Sequence, residues 1–562
     1  MPTRQEMWGR LGDEVDVLVV GGGINGAGIA RDAARRGLRV ALVEMNDLAF
    51  GTSSRSSKLV HGGLRYLEQL EFSLVFEAVS ERRILMDIAP HLVNPLGFLF
   101  PVYKGSRRRL ATINAGMWLY DGLALFRAPR RHRKLSVKDV RREEPALGTE
   151  RLTGAPLYYD CSTDDARLTL ESALDAAHVG AIVCTYAKVV SFTKDEHGRI
   201  TGAVVDGGLG GGLKEVRASA VINATGPWTD RTISMSQRLD GGSLLRPTKG
   251  SHIVVDRARL PVENAIVCFH PDDGRVAFAI PWGDRTYIGT TDTDYEGDPA
   301  DVYATREDVD YLLDACRLYF PRHPLGHDDV ICTWAGLRPL MRPALAGEDI
   351  DESAVSREHQ IVVGADGLIT IAGGKLTTYR RMSHEVVDTA VNLLRLSGKL
   401  PDSLSEAATD KAPLPGAVGW PADDNHERVA RKVSDVAPSL AETSARLLAD
   451  TYGMRSIEIA GLVRKDTGLG DALVEGRPEI LAQVDWAVTE ELAATVCDVM
   501  IRRTQLYYRD FDQGLGAAQA VSRRMATLLG WTEEQRQASV EAYRCEVQRS
   551  RAWRSGSSDP VS

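Results

Sequence analysis

The chain has 562 residues, 43% hydrophobic and 26% charged, the composition of a globular protein long enough for more than one domain. Its 68 basic and 77 acidic residues leave a net charge of −9, which excludes bulk nucleic-acid binding and confines any basic surface to a local patch. Seven cysteines, odd in number, scattered and never in C-x-x-C spacing, read as reduced core thiols rather than a disulfide framework or a metal site.

Asp13 and Glu14 stand just before the first apolar run and Asp16 at its start, and no apolar run approaches about 18 residues. Neither a signal peptide nor a membrane span is expected, so the cytoplasm is the expected compartment, with a membrane surface still open to the chain. Val15 to Val20 is apolar and β-branched enough for a buried parallel strand, and Gly21, Gly23 and Gly26 follow on the spacing G-x-G-x-x-G. The first glycine permits the tight turn, the second lets backbone approach a pyrophosphate, and the third lets the next helix pack on the strand. That helix is expected from about Ile24 to Arg36, stopping at Gly37, with its N-terminal amides toward the phosphates. A second strand, Arg39 to Val43, ends at Glu44, placed to accept hydrogen bonds from a ribose 2′-hydroxyl and to disfavour the extra phosphate of NADP. Strand, loop, helix, strand and terminal acid together mark an adenine dinucleotide. They do not distinguish FAD from NAD.

Phe50 to Glu68 reads FGTSSRSSKLVHGGLRYLE. Thr52, Ser53, Ser54, Ser57 and Lys58 are poor core material and suit wrapping a polar cofactor, although a solvated loop has the same composition. Between Lys104 and Arg142, basic clusters at 107–109 and 130–134 flank an apolar stretch that includes Met117, Trp118, Leu119, Leu123, Leu125 and Phe126. This pattern suits a peripheral membrane contact as well as a buried helix followed by a solvated basic loop. Arg217 to Ala224 reads as a strand ending in Asn-Ala-Thr-Gly-Pro-Trp, where Gly226 allows close approach to a ligand. Val276 to Pro281 and Thr286 to Thr290, joined through Gly283-Asp284, suggest an antiparallel sheet carrying a substrate pocket. A hairpin around Asp366-Gly367 leads into Gly373-Gly374-Lys375 and a helical pattern from Tyr379. A helix opening there points its positive end at whatever lies before it, and anionic reduced flavin is a natural target.

The expected fold is therefore α/β: a discontinuous Rossmann-like domain with segments at about 15–70, 155–235 and 345–400, and an antiparallel-sheet substrate domain at about 71–154 and 236–344. A Pro-, Gly- and Asp-rich linker spans 401–424, an all-helical domain spans 425–548, and residues 549–562 read as a disordered tail.

The motifs VVGGGINGAGIARDAA, GTSSRSSKLVHGGLRYLE, YYDCSTDDARL, INATGPW, KGSHIVV, IPWGDRTYIGTTDTDY, WAGLRPL and IAGGKLTTYR together resemble the FAD-dependent, respiratory-chain glycerol-3-phosphate dehydrogenases, within the D-amino-acid-oxidase-like flavoproteins. The resemblance covers residues 15–400 closely and the helical region more loosely, and Cys161-Ser162-Thr163 is a point of departure from it. It implies oxidation of sn-glycerol 3-phosphate to dihydroxyacetone phosphate, non-covalent FAD as hydride acceptor, a membrane quinone as electron sink, and a homodimer at the inner face of the cell membrane. It leaves a glycerol-3-phosphate oxidase using oxygen as a rival, and a non-catalytic dinucleotide-binding sensor as a more distant one. It places Arg65, Arg338 and Arg357 around the substrate phosphate and active site, Lys375 beside the flavin, and His252 as the base that takes the C2-hydroxyl proton. Arginine suits a phosphate because its planar donors bind two oxygens at once, and imidazole titrates near working pH. Singly, each arginine also reads as a surface or ion-paired residue, and His252 as a structural histidine. Tyr66 and Thr377 are placed to orient substrate or flavin.

Overall fold

The computed structural model describes residues 1–12, 14–63, 71–106, 110–123, 130–236, 242–342, 359–400 and 403–555. β1 (Val15–Val20) is buried along its whole length, as a strand covered on both faces requires. It pairs in parallel with β2 (Val40–Val43), across α1 (Ile24–Arg35). β2 pairs in parallel with β3 (Ile182–Cys184), and on its other side β1 pairs in parallel with β4 (Leu213–Asn223). The hairpin His359–Val363/Ile369–Gly373 closes that edge through Ile369–Gly373, parallel to β4. Three distant stretches of chain therefore make one sheet, which is the discontinuity expected from the sequence. α1 lies between the helices Asp165–His178 and Tyr379–Leu396, and its Gly28 is the close point, since a Cβ there would come 2.3 Å from Ser383 Oγ.

The second sheet is built on β5 (Leu245–Asp256) and β6 (Val330–Met341), paired antiparallel over nearly their full lengths. Strands Arg285–Gly289, Val276–Trp282 and Ala265–Phe269 extend it, and one parallel pair, Ala265–Phe269 with Asn94–Leu99, joins it to Leu152–Ser162. That last strand corrects the expected partition: residues 155–162 belong to the second sheet, because Tyr159 pairs with Gly97 and Ser162 with both Asn94 and Leu59. The pairing is non-local, and local pattern carries no sign of it.

The C-terminal region is helical, as expected, but the described residues of its linker, 403–424, and of its tail, 549–555, are not loose. Leu414 is fully buried and its amide donates to Ile88 O at 2.8 Å, while Arg31 donates to Thr409 O and Ala412 O. The helix Glu533–Arg551, opened by a capping box at Thr532, runs on into Ala552–Ser555. Trp553 packs in the second sheet's core and Arg554 donates to Val330 O. Residues 549–555 are thus ordered, because their one aromatic and one of their arginines find buried partners outside the helix.

Candidate functional site

A cavity of about 500 Å³ opens at the C-terminal ends of β1, β2 and β4, the place where a doubly wound sheet binds nucleotides. The glycine loop forms its floor. Gly21 has φ +108, and a Cβ there would come 2.6 Å from Ala224 O; a Cβ on Gly26 would come 1.8 Å from Gly21 O. Both glycines are demanded by the protein itself. Gly23 is different: its backbone is extended, and a Cβ would meet only Ser53 Oγ, at 3.2 Å. What keeps that position clear is the space of the cavity. Glu44 lines the cavity with its carboxylate fixed by the amides of Gly22 at 2.6 Å and Asn46 at 2.8 Å. Burial raises its pKa, and the two amide donors oppose the rise.

The serine-rich loop divides its labour. Thr52 and Ser53 line the cavity; Thr52 Oγ1 donates to Leu337 O at 2.6 Å, and Ser53 Oγ accepts from Ile24 N at 2.9 Å. Ser54 is buried on Gly51 O, and Ser57 Oγ lies 2.9 Å from His252 Nε2. Lys58, expected to help wrap the cofactor, is buried, with Nζ 2.6 Å from Asp165 Oδ1 and over the rings of Trp282, Trp334 and Tyr508. A lysine with that ion pair and aromatic box is held inside the scaffold. Gly226, Gly373, Gly374 and Lys375 form the far wall. Gly373 and Gly374 have φ +76 and +87, and the turn after them, Leu376–Thr378, opens the helix Tyr379–Leu396 at the cavity. Thr377 turns inward: its Oγ1 accepts from His61 N and donates to His61 O, tying the serine loop to this helix.

β6 runs beneath the serine loop, with Trp334 Nε1 donating to Ser56 O. On one face of this sheet stand His252, Trp334 and Arg338, and glycines clear space for them. A Cβ on Gly289 would lie 2.0 Å from His252 Cδ2, and one on Gly250 2.6 Å from Arg338 Nη2. His252 is 2% exposed, stacked on Trp334 with ring centroids 4.6 Å apart, and its buried Nδ1 has no hydrogen-bond partner among the described residues. Burial, then the charges of Arg338 and Lys58, hold the imidazole well below its ordinary pKa. This corrects the expectation of a histidine titrating near working pH: His252 is neutral there. Arg338 donates to Asp292 Oδ1 at 2.9 Å, Thr290 Oγ1 at 3.1 Å and Thr291 O at 3.2 Å, with its neighbour Pro339 on the cavity wall. Arg65, Tyr66 and Arg357 lie outside the described residues.

Several lining groups went unnoticed in the sequence. Phe50 and Trp228 flank one wall with ring centroids 6.5 Å apart, and Ala187 to Val189 form the lip opposite Glu44. Trp228 could have been found from its place two residues after Gly226. Ala187 to Val189 carry no local signal at all.

Residues 16–380 match the FAD-dependent oxidoreductase family, and residues 407–536 match the C-terminal domain of alpha-glycerophosphate oxidase. The chain is 40% identical over 547 residues to glycerol-3-phosphate dehydrogenase 2 of Mycobacterium tuberculosis, covering 97% of this chain and 90% of that protein. It is 38% identical over 526 residues to the aerobic glycerol-3-phosphate dehydrogenase of Staphylococcus haemolyticus, covering 93% and 92%. Among solved structures, the glycerol-3-phosphate dehydrogenase of Bacillus halodurans complexed with FAD superposes with a TM-score of 0.79 at 34% identity, over 97% of each chain.

Proposed function

Because this chain belongs to the FAD-dependent oxidoreductases, in the branch of the glycerol-3-phosphate dehydrogenases, we propose that it oxidises sn-glycerol 3-phosphate to dihydroxyacetone phosphate and delivers the electrons to a membrane quinone. The observation that carries the reading is the adjacency of two unlike features: a dinucleotide cavity under a glycine loop, and beside it a sheet face holding a neutral buried imidazole and a braced arginine. The cavity fits FAD, since Gly23 leaves open the space that a phosphate-contacting loop needs and Glu44 has a fixed carboxylate for the ribose. Gly21, Gly23, Ser53 and Glu44 hold the ADP half, and Gly373, Gly374 and Lys375 stand at the flavin. When bound, FAD supplies the acceptor for the hydride leaving C2.

Arg338 binds the substrate's anionic end. Asp292 and Thr290 brace its guanidinium, so that a planar fork meets the phosphate without rearranging. From the family resemblance alone, Arg65 and Arg357 are assigned to the same phosphate and Tyr66 to orienting the substrate or flavin, and Lys375 adds a cation between substrate and flavin. His252 takes the C2-hydroxyl proton on Nε2, where the substrate hydroxyl replaces Ser57 Oγ, the group that occupies that nitrogen at 2.9 Å before substrate arrives. Its weak basicity suits a hydroxyl that grows acidic only as the hydride departs, and its neutrality keeps it ready to accept.

The chain reaches the quinone by docking on the membrane surface. No helix among the described residues is long and apolar enough to cross a membrane. The helices Phe72–Ile88 and Leu110–Leu123 touch each other and expose apolar side chains, Trp118 at 62%, Phe76 at 47% and Leu119 at 46%, while Met117 and Tyr120 turn inward. Lys104, Arg130, Arg131 and Lys134 are exposed in the flanking segments; Arg133, also basic, is paired with Glu143. Phe126, Leu125 and residues 107–109 lie outside the described residues. Anaerobic addition of glycerol 3-phosphate bleaches the flavin band if the reaction is correct, and an unbleached band rejects it. Peroxide release that is indifferent to a quinone analogue assigns the electrons to oxygen instead.

A further inference from the structure

The adenosine end of the cavity has two lips, the segment from Glu44 to Phe50 and the segment from Tyr186 to Val189. They are stitched together by Tyr186 N donating to Asn46 O at 2.8 Å and Ala187 N to Glu44 O at 2.7 Å. Each lip contains a non-glycine residue in the left-handed region, Ala49 with φ +61 and Tyr186 with φ +52, and such backbone persists only where its surroundings over-determine it. The C-terminal domain supplies part of those surroundings, through Asp47 and Phe50 on one lip and the Tyr186 hydroxyl on the other. A single π-helical turn, Asp498–Arg503, reaches both lips. Arg503 grips the Asp47 carboxylate with two parallel bonds, Nη1 to Oδ2 at 2.8 Å and Nη2 to Oδ1 at 2.9 Å, and Arg502 Nε binds the same group. Asp498 Oδ1 accepts from Tyr186 OH at 2.7 Å and from Arg502 Nη2 at 2.6 Å. The Arg502 guanidinium also lies 5.8 Å from the ring centre of Phe50, a wall residue.

All four charged groups are buried. Burying ion pairs is a weak route to stability, because desolvation offsets most of the Coulomb gain, and its best-attested benefit is a fixed register. Here the register fixed is that of the loop carrying Glu44. The network also continues inward, with Arg503 Nη2 donating to Glu491 O and Glu491 Oε1 accepting from Arg167 Nη2 on the helix after the substrate-sheet strand.

We propose that Asp47, Asp498, Arg502 and Arg503 form a clamp by which the C-terminal domain builds the adenosine end of the FAD site, making that domain part of the cofactor site. They are positioning residues, acting through Glu44, Asn46, Phe50 and Tyr186. The clamp needs no substrate, so its test is independent of the reaction proposed above.

The test uses the full-length holoenzyme and follows FAD release on dilution by flavin fluorescence, with far-UV circular dichroism on the same samples. Arg503→Lys keeps the charge and removes the fork; Asp47→Asn removes the charge and keeps the shape. Arg524→Met is the control, because it breaks a pair with Asp485 inside the same domain and away from the lips. Both clamp variants are expected to bind FAD about tenfold more weakly or worse. The spectrum and midpoint potential of the flavin they retain should match the parent, and the control should hold FAD as the parent does. Should Arg503→Lys fail to fold, Tyr186→Phe removes one hydroxyl bond to Asp498 without touching a charge, and a several-fold weaker FAD is expected. Unchanged FAD affinity in the folded variants overturns the proposal. So does equal loss in Arg524→Met, or a shifted midpoint, which places the effect at the flavin end.

Discussion

Two glycines three residues apart separate what the fold demands from what the cofactor demands. A methyl group on Gly26 would sit 1.8 Å from Gly21 O and 3.0 Å from Gly21 C, both backbone atoms at the end of a buried strand. No rotamer relieves that overlap, so α1 must lift from β1, and overpacking of this kind costs about 1–3 kcal/mol or more. A methyl group on Gly23 would lie 3.2 Å from Ser53 Oγ and nothing else, on a backbone with φ −75 and ψ −178 that alanine adopts freely. Ser53 need give only a few tenths of an ångström, and replacing a glycine N-cap by alanine costs about 1 kcal/mol or less. The methyl group does, however, enter the cavity where loop amides reach the pyrophosphate. Hydrogen bonds to a charged group contribute about 1.5–3 kcal/mol each, so losing one weakens FAD about 10–150-fold. Gly23→Ala should therefore purify folded, with a normal circular dichroism spectrum and little flavin at 450 nm, and take up FAD only at raised concentration. Gly26→Ala should show a lowered melting temperature even with FAD in excess. Wild-type FAD affinity in Gly23→Ala would falsify the placement of the pyrophosphate on this loop. Equal thermal damage in both variants would undo the distinction between them.

Arg338→Ala should lower kcat/KM for glycerol 3-phosphate about 10–150-fold for each charge-assisted bond lost while FAD content stays normal; an unaltered kcat/KM removes Arg338 from the substrate site. His252 is depressed below its ordinary value of 6.5, so flavin reduction should be flat with pH above that value and slow only well below it; a rate that titrates near 6.5 contradicts the burial argument. The same shift makes a stability prediction. The unfolded chain takes up a proton below about pH 6.5 that the folded imidazole refuses, so the stability due to His252 is complete above 6.5 and is lost as pH falls, by at most about 1.4 kcal/mol per pH unit. His252→Gln should flatten the pH dependence of the melting temperature by up to that slope, and an unchanged slope refutes it. Trp118→Glu with Leu119→Glu should reduce sedimentation with anionic vesicles and lower quinone-linked turnover, with flavin reduction by glycerol 3-phosphate unaffected; full vesicle binding moves the membrane contact off this helix.

The sequence by itself determined whatever is written in short-range spacing. Gly21, Gly23, Gly26 and Glu44 lie within one βαβ unit, and their roles follow from the geometry of a turn, a helix start and a strand end. The hairpin before Gly373 and the amphipathic helix after Tyr379 are legible for the same reason, since period and turn chemistry are local properties. Tertiary structure decided the residues whose partners lie hundreds of positions away. Lys58 and Ser57 look like cofactor ligands in a polar loop until Asp165 and His252 arrive beside them. The basicity of His252 could not be read from its neighbours in the chain, because it is set by burial against Trp334 and by the charge of Arg338, which reach it across strand pairs. Asp47 is an ordinary loop acid in the sequence. Only folding brings Arg502 and Arg503 to it across 455 and 456 positions, and a charge acquires meaning from what shares its low-dielectric space, which chain order does not encode.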